Sequence, residues 1–275
     1  MNIENITIIG AGFTGKQITA RSALYDYSVR LYDISSDALE EATNFLSKTF
    51  RPKDKRDKYE NVELKTDLSE ALKNADLVIE AVPEKLELKR EVFSQIDQFA
   101  PSHAIIATNS SSFPVSKLEN AVKRKDKVLN LHFYPPIPAR PMVDIMRGSE
   151  TSEKTFQKGI EWIESIECTP LKVKKEIMGF AFNRIWRAVK REALHMWAGG
   201  YVDFKTIDTA WKIFTGMNMG PFETMDAIGL DVVYNVEKSY FNESGDPKDK
   251  PPEKFKEKIE KGELGLKSGK GFYKW

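Results

Sequence analysis

Ile6-Thr-Ile-Ile9-Gly10-Ala-Gly12-Phe13-Thr14-Gly15 decides the fold of the first half of this chain. A short β-branched run reads as a strand, a G-x-G-x-x-G turn follows at once, and a helical pattern follows the turn. The first glycine permits the tight turn, the second lets backbone approach a pyrophosphate, and the third allows close helix–strand packing. The helix they open turns free N–H groups toward phosphates. Gly10, Gly12, Phe13, Thr14 and Gly15 are therefore expected to bind a nucleotide cofactor. A second strand, Val29-Arg-Leu-Tyr-Asp33, ends in an acid 18 residues after Gly15, the spacing of a carboxylate that accepts from a ribose 2′-hydroxyl. Ile34, Ser35 and Ser36 follow it, so no cation stands ready for a 2′-phosphate, and NAD is expected rather than NADP. The bland alternative is a glycine turn beside an unrelated surface acid.

Outward from this unit the pattern continues as strand and helix in alternation. A helix is expected from Ser36, its N-cap, to about Lys48, with Leu39, Ala42, Phe45 and Leu46 on one face. The charge run Arg51-Pro-Lys-Asp-Lys-Arg-Asp-Lys58 reads as a solvated loop or as a site for a ligand phosphate. Asp76-Leu-Val-Ile-Glu-Ala-Val82 is a buried strand, and Pro83-Glu84 leads into a helix carrying Leu86, Leu88, Val92, Phe93 and Ile96. After the strand Ala104–Ala107 comes Thr108-Asn-Ser-Ser-Ser112, whose hydroxyls and amide suit a polar ligand or cap a helix after Pro114.

A second stretch carries chemistry. In Leu129-Asn-Leu-His-Phe-Tyr-Pro-Pro-Ile-Pro-Ala-Arg-Pro-Met-Val-Asp144, His132 ends an apolar strand, and ligands of parallel α/β sheets bind at such strand ends. Four prolines make a stiff extended connector, and the chain re-enters a strand at Met142. A strand–loop–strand return of 12 residues brings the imidazole beside Asp144, the pairing of a general base near neutral pH. The alternative is a hydrogen-bonded core histidine and an unrelated acid.

The strand signals stop near Glu176–Gly179, so two domains are expected: 1–177, an α/β Rossmann-like NAD-binding domain, and 178–275, all-α. In the second, Phe182, Ile185, Trp186, Val189, Ala193 and Trp197 form one helical stripe with Asn183 at its edge. The aromatic load there (Trp186, Trp197, Trp211, Phe214, Phe222, Tyr240) predicts a homodimer interface. With 42 basic against 41 acidic residues, no nucleic-acid footprint is expected from net charge. The single cysteine, Cys168, rules out an intrachain disulfide, fits a reducing compartment and reads as an apolar filler rather than a reactive thiol. Met1 leads straight into a strand-like run, and no stretch nears the ~20 apolar residues of a membrane span. A cytoplasmic protein with a small-molecule substrate, no membrane partner and no metal is the expectation.

Taken in order, Gly10–Gly15, Asp33, Asp76–Glu84, Asn109-Ser-Ser-Ser112, Leu131-His-Phe133, Gly179-Phe-Ala-Phe-Asn-Arg184, Met219-Gly-Pro-Phe222 with Ile228-Gly-Leu-Asp231, and Ser268-Gly-Lys-Gly-Phe-Tyr273 resemble the L-3-hydroxyacyl-CoA dehydrogenase family along nearly the whole chain. The resemblance implies a dimeric enzyme that interconverts an L-3-hydroxyacyl-CoA and the 3-ketoacyl-CoA with NAD. It implies His132 as catalytic base, Ser111 as hydrogen-bonding partner of substrate and cofactor, and Asn183 at the reacting oxygen. It implies cofactor contacts from Glu84, Lys89 and Lys267.

Three departures stand out. The acid paired with the histidine is normally Glu, and Asp144 is shorter by one C–C bond, about 1.5 Å. Where the family reads His-Phe-Phe-Asn-Pro, this chain has His132-Phe-Tyr134-Pro135-Pro136, losing an amide near the nicotinamide. The CoA-binding helical hairpin between Asp33 and Asp76 is shortened; aligned without gaps, Thr49 and Arg56 fall at its substrate contacts. Two rivals to the acyl-CoA reading follow: the same chemistry on a free 3-hydroxy acid, and a nucleotide-binding scaffold without turnover.

Overall fold

The computed structural model describes residues 2–275, the side chains of Lys53 and Asp54 excepted. Its chain divides into two compact units, Met1–Ala181 and Phe182–Trp275. This division lies beyond the 177/178 boundary read from the sequence, because Phe180 is buried with Met146 and Val173 of the first unit.

In the first unit β1 (Asn5–Ile9), β2 (Ser28–Tyr32), β3 (Val62–Lys65), β4 (Leu77–Glu80), β5 (Ile105–Thr108), β6 (Val128–Phe133), β7 (Met142–Arg147) and β8 (Thr169–Val173) form one sheet in the order β3-β2-β1-β4-β5-β6-β7-β8. All pairings are parallel except β6 with β7. The strand order reverses at β1 and β4, the point outside whose strand carboxyl ends ligands of open α/β sheets bind. Side chains alternate between two cores. Ile6, Ile8, Leu129 and Leu131 face one, with Leu39 and Leu46 of α2 (Ser36–Thr49) and Ile160 and Trp162 of α5 (Glu153–Ser165). Ile9, Val78 and Ile106 face the other, with Phe93 and Ile96 of α4 (Leu86–Phe99). Burial on both faces is why these strands read as unbroken apolar runs. Ahead of α2, α1 (Gly15–Leu24) follows the glycine turn, and α3 (Leu68–Leu72) lies between β3 and β4.

Three local expectations are corrected. Ser35, not Ser36, caps α2: its Oγ accepts from the Ala38 N–H at 3.2 Å. The Arg51–Lys58 run is not an open loop. Most of it winds into a 3-10 helix, Lys53–Asn61, with Lys58 paired to Asp26 and Tyr59 edge-on to Phe50 at 6.0 Å. After Pro114 come two 3-10 turns, Val115–Lys117 and Glu119–Ala121, and Pro114 caps nothing through its side chain.

The second unit holds α6 (Phe182–Ala198), α7 (Phe204–Thr215), α8 (Pro221–Ile228), α9 (Leu230–Ser244) and α10 (Glu253–Glu260). Its core is aromatic: Phe222, Phe255 and Phe272 are buried, with Trp197, Phe204 and Tyr273 packed around them. The expected stripe on α6 holds only at its C-terminal end. Ala193 is buried, but Phe182 and Ile185 are 45% and 67% exposed, while Arg187 and Lys190 are buried. Glu237 on α9 is the reason. Arg187 donates to its Oε2 at 3.0 Å and lies over the Tyr240 ring, and Lys190 stands 3.4 Å from its Oε1. Phe222 and Tyr240, expected at an interface, belong to this unit's own interior. Two isolated bridges, Gly265 with Lys270 and Lys270 with Lys274, fold the glycine-rich tail. Among the described residues no helix is long and apolar enough to cross a membrane.

Candidate active site

The glycine turn is held by two steric requirements. Gly10 has φ +107°, and a Cβ there would meet Ala81 O at 2.8 Å; at Gly15 a Cβ would lie 1.9 Å from Gly10 O. Gly12 differs, because a Cβ there would meet nothing within 4 Å. Its lack of a side chain serves no contact of the described chain and leaves room for a ligand. Thr14, at the N-cap of α1, makes no side-chain capping bond, and the first turn carries no acid. Asp33 closes the turn: Oδ2 accepts from the Ala11 N–H at 2.8 Å and Oδ1 from the Ser35 N–H at 2.9 Å. Each oxygen keeps a lone pair for a ribose hydroxyl. Phe13 stands exposed beside the turn. Open space, uncapped helix amides and a strand-end carboxylate fit a dinucleotide.

At the ends of β4 and β5 the structure places a buried charge cluster that the sequence reading missed. Glu80, fully buried, accepts from Lys89 Nζ and the Val82 N–H through Oε1 (2.7 and 2.8 Å) and from Thr108 Oγ1 through Oε2 (2.8 Å). Lys89, expected at the cofactor, is 1% exposed; its ammonium also donates to Val82 O at 3.2 Å and lies 3.1 Å from Glu84 Oε2. Glu84 accepts from Ser110 Oγ and from the Ser112 N–H. Burial raises its carboxyl, but the Lys89 ammonium and the two serine donors outweigh that and hold it below the usual range. The Thr108–Ser112 cluster thus splits. Thr108 and Ser110 are buried in scaffold bonds, whereas Ser111 is exposed at the turn they hold. A lone carboxylate in an otherwise apolar strand was the available signal for Glu80.

His132 and Asp144 are direct register partners across the antiparallel β6–β7 pair. The Nδ1 of His132 lies 3.3 Å from Asp144 Oδ2, and both side chains are buried. Tyr134 was missed: its hydroxyl donates to the same Oδ2. Its signal was the strand period, since residues 132 and 134 share a face. Tyr134 meets the imidazole edge-on, with centroids 4.6 Å apart, and Phe180 stacks on it at 4.9 Å and 14°. Asn109 ties this strand to the serine turn by accepting from the Phe133 N–H at 2.9 Å, and Asn130 donates to Ser110 O at 2.9 Å. The turn bearing Ser111 and the strand bearing His132 are thereby one construction.

Other expected residues have partners of their own, lie exposed or belong to the second unit. The Thr49 hydroxyl bonds back to Phe45 O at 2.9 Å, and Arg56 is exposed on the 3-10 helix. Asn183 sits in the first turn of α6, and Lys267 donates to Asp231 Oδ2 at 2.6 Å, both in the second unit.

Residues 5–177 match the family model described as 3-hydroxyacyl-CoA dehydrogenase, NAD binding domain, and residues 179–275 match 3-hydroxyacyl-CoA dehydrogenase, C-terminal domain. The chain belongs to the 3-hydroxyacyl-CoA dehydrogenase family. It is accordingly an oxidoreductase whose cofactor is NAD. The 3-hydroxybutyryl-CoA dehydrogenase of Clostridioides difficile is 32% identical over 98% of this chain and 98% of its own. The structure of (S)-3-hydroxybutyryl-CoA dehydrogenase from Ralstonia eutropha superposes with a TM-score of 0.94 at 30% identity, covering 100% of this chain and 99% of the other. A diketoreductase, described for its substrate-directed dual catalysis of dicarbonyl compounds, is similar at a TM-score of 0.90 and 34% identity, with both chains covered completely.

Proposed function

We propose that this protein interconverts a short-chain L-3-hydroxyacyl-CoA and the corresponding 3-ketoacyl-CoA, with His132 as general base. The observation that carries this is the His132–Asp144 pair, set in register beside a serine turn at the carboxyl end of the sheet. NAD, which the glycine turn and Asp33 would hold, would supply the acceptor for the hydride at the substrate's C3. Nε2 of His132 takes the 3-hydroxyl proton as that hydride leaves, and the carbonyl forms. Asp144 holds Nδ1 as the donor and balances the imidazolium. Ser111, exposed at the turn, donates to the substrate oxygen. In reduction the imidazolium returns the proton.

A second reading has its own support: the substrate is a free 3-hydroxy acid or small dicarbonyl rather than a thioester of CoA. Between α2 and β3 there is only the 3-10 helix, in which Lys58 is committed to Asp26, and Thr49 is committed to Phe45. The likeness to a diketoreductase points the same way. NADH oxidation with acetoacetyl-CoA against acetoacetate separates the two. The first reading expects kcat/KM for the thioester to exceed that for the free acid by at least about tenfold, some 1.4 kcal/mol of binding to CoA. Equal values, or a preference for acetoacetate, would leave the second. No turnover of either with other small dicarbonyls also inert would leave a silent scaffold.

The second unit is also proposed to form a homodimer. Ile213 and Phe214 at the end of α7 are 81% and 92% exposed, and Tyr201, Met217 and Ile185 are exposed with them. Apolar surface of this kind marks an interaction site. Light scattering at micromolar concentration should give twice the chain mass, and Phe214→Asp should return the monomer. A monomer for the unaltered chain would end this reading.

A further inference from the structure

We propose that Tyr134 is a positioning residue for the proton transfer: its hydroxyl locks the carboxylate of Asp144 in the rotation that serves His132. This rests on the reading of His132 as base.

Asp144 is wholly buried, and its Oδ1 has no hydrogen-bond partner among the described residues. Everything that orients the group acts on Oδ2. One of its two contacts there is the imidazole at 3.3 Å, longer than the 2.7–2.9 Å usual for a charge-assisted N–H···O bond. A bond so long directs a carboxylate weakly. The other contact is the Tyr134 hydroxyl, the closer of the two. Tyr134 is itself fixed. It is buried, it follows β6 directly, and its ring stands nearly perpendicular to the imidazole at 80°. The phenol therefore decides where Oδ2 points, and it holds that oxygen toward Nδ1.

The same contact answers a chemical need. An aspartate this deep with one long bond would be an under-satisfied charge, and the interior makes such a group costly. A hydroxyl donor gives Oδ2 a second hydrogen bond beside the histidine.

Single-turnover NADH oxidation tests this, with whichever of acetoacetyl-CoA and acetoacetate turns over. Tyr134→Phe keeps the ring and removes the bond. The hydride-transfer rate should fall about ten- to a hundredfold, the range for a hydrogen bond to a charged group. The Kd for NADH and the substrate KM should stay within about twofold, which a general loosening of the site would not allow. In the Asp144→Asn background the same substitution should cost less than about threefold, because both changes strike one unit. A wild-type rate for Tyr134→Phe, or losses that multiply across the two backgrounds, would overturn the proposal. His132→Ala run alongside separates the failures. If that variant is slow while Tyr134→Phe is not, only Tyr134 has been misjudged; if it keeps full rate, the base assignment falls too.

Discussion

Replacing His132 by alanine is expected to lower kcat by ~10²–10⁴-fold, the usual contribution of positioned acid–base catalysis, while the Kd for NAD stays near that of the unaltered enzyme. The two halves of this expectation have separate physical sources. In the proposed mechanism proton transfer depends on the imidazole at the end of β6, whose Nδ1 is engaged by Asp144 and whose Nε2 is left for the substrate. Cofactor binding depends on the glycine turn and Asp33, which make no contact with His132 among the described hydrogen bonds. Asp144→Asn should keep the shape and still lose most of the rate, since an amide can leave the histidine in the wrong tautomer and does not balance its charge. Asp144→Glu probes the fit of the shorter acid. With Tyr134 occupying Oδ2 and the site fully buried, the extra methylene has no room, and activity should fall. Steady-state kinetics and cofactor titration of the three variants measure all of this. Full turnover by His132→Ala would place the base elsewhere.

Glu80→Leu is expected to produce the largest loss of stability, about 3 kcal/mol or somewhat more, at the lower end of the 3–5 kcal/mol for breaking a buried ion pair. Leucine leaves the Lys89 ammonium buried, with Val82 O and the more distant Glu84 as its remaining partners, and it removes the acceptor of the Thr108 hydroxyl and of the Val82 N–H. Glu84 keeps the loss from the top of that range. Glu80→Leu with Lys89→Met, which removes both charges, should recover most of the stability, because a well-packed apolar pair can match a buried salt bridge. Thermal unfolding of the single and double variants decides it. A double variant no more stable than Glu80→Leu would mean that the cluster contributes more than its charges. Because Thr108 and Glu84 hold the turn of Ser110–Ser112, a recovered double variant should still bind its substrate more weakly.

Much of the fold and part of the site were legible in the chain. The glycine turn, Asp33, and the His132–Asp144 pair depend on strand ends and spacings within a few tens of residues, and such features repeat their geometry wherever the local pattern occurs. The β6–β7 register sets His132 opposite Asp144, and the open space over Gly12 supports a ligand there over a bare glycine turn.

Other features were not local. Lys89, matched by the resemblance to a cofactor contact, is buried at the sheet ends, because Glu80 nine residues earlier points inward and has to be neutralised. The apolar stripe of α6 predicted its buried face, yet Glu237, fifty residues on, draws Arg187 and Lys190 inside. Tyr134 lies two residues after His132, just past β6, but its bond exists because β7 returns Asp144 to within reach of both. The sequence by itself determined the order of strands and helices, the dinucleotide turn and the family, since periodicity and spacing are properties of neighbouring residues. Only the tertiary structure decided which buried charges meet and which oxygen of Asp144 carries the site, because a polar group in the interior takes its partner from whatever part of the chain the fold brings to it.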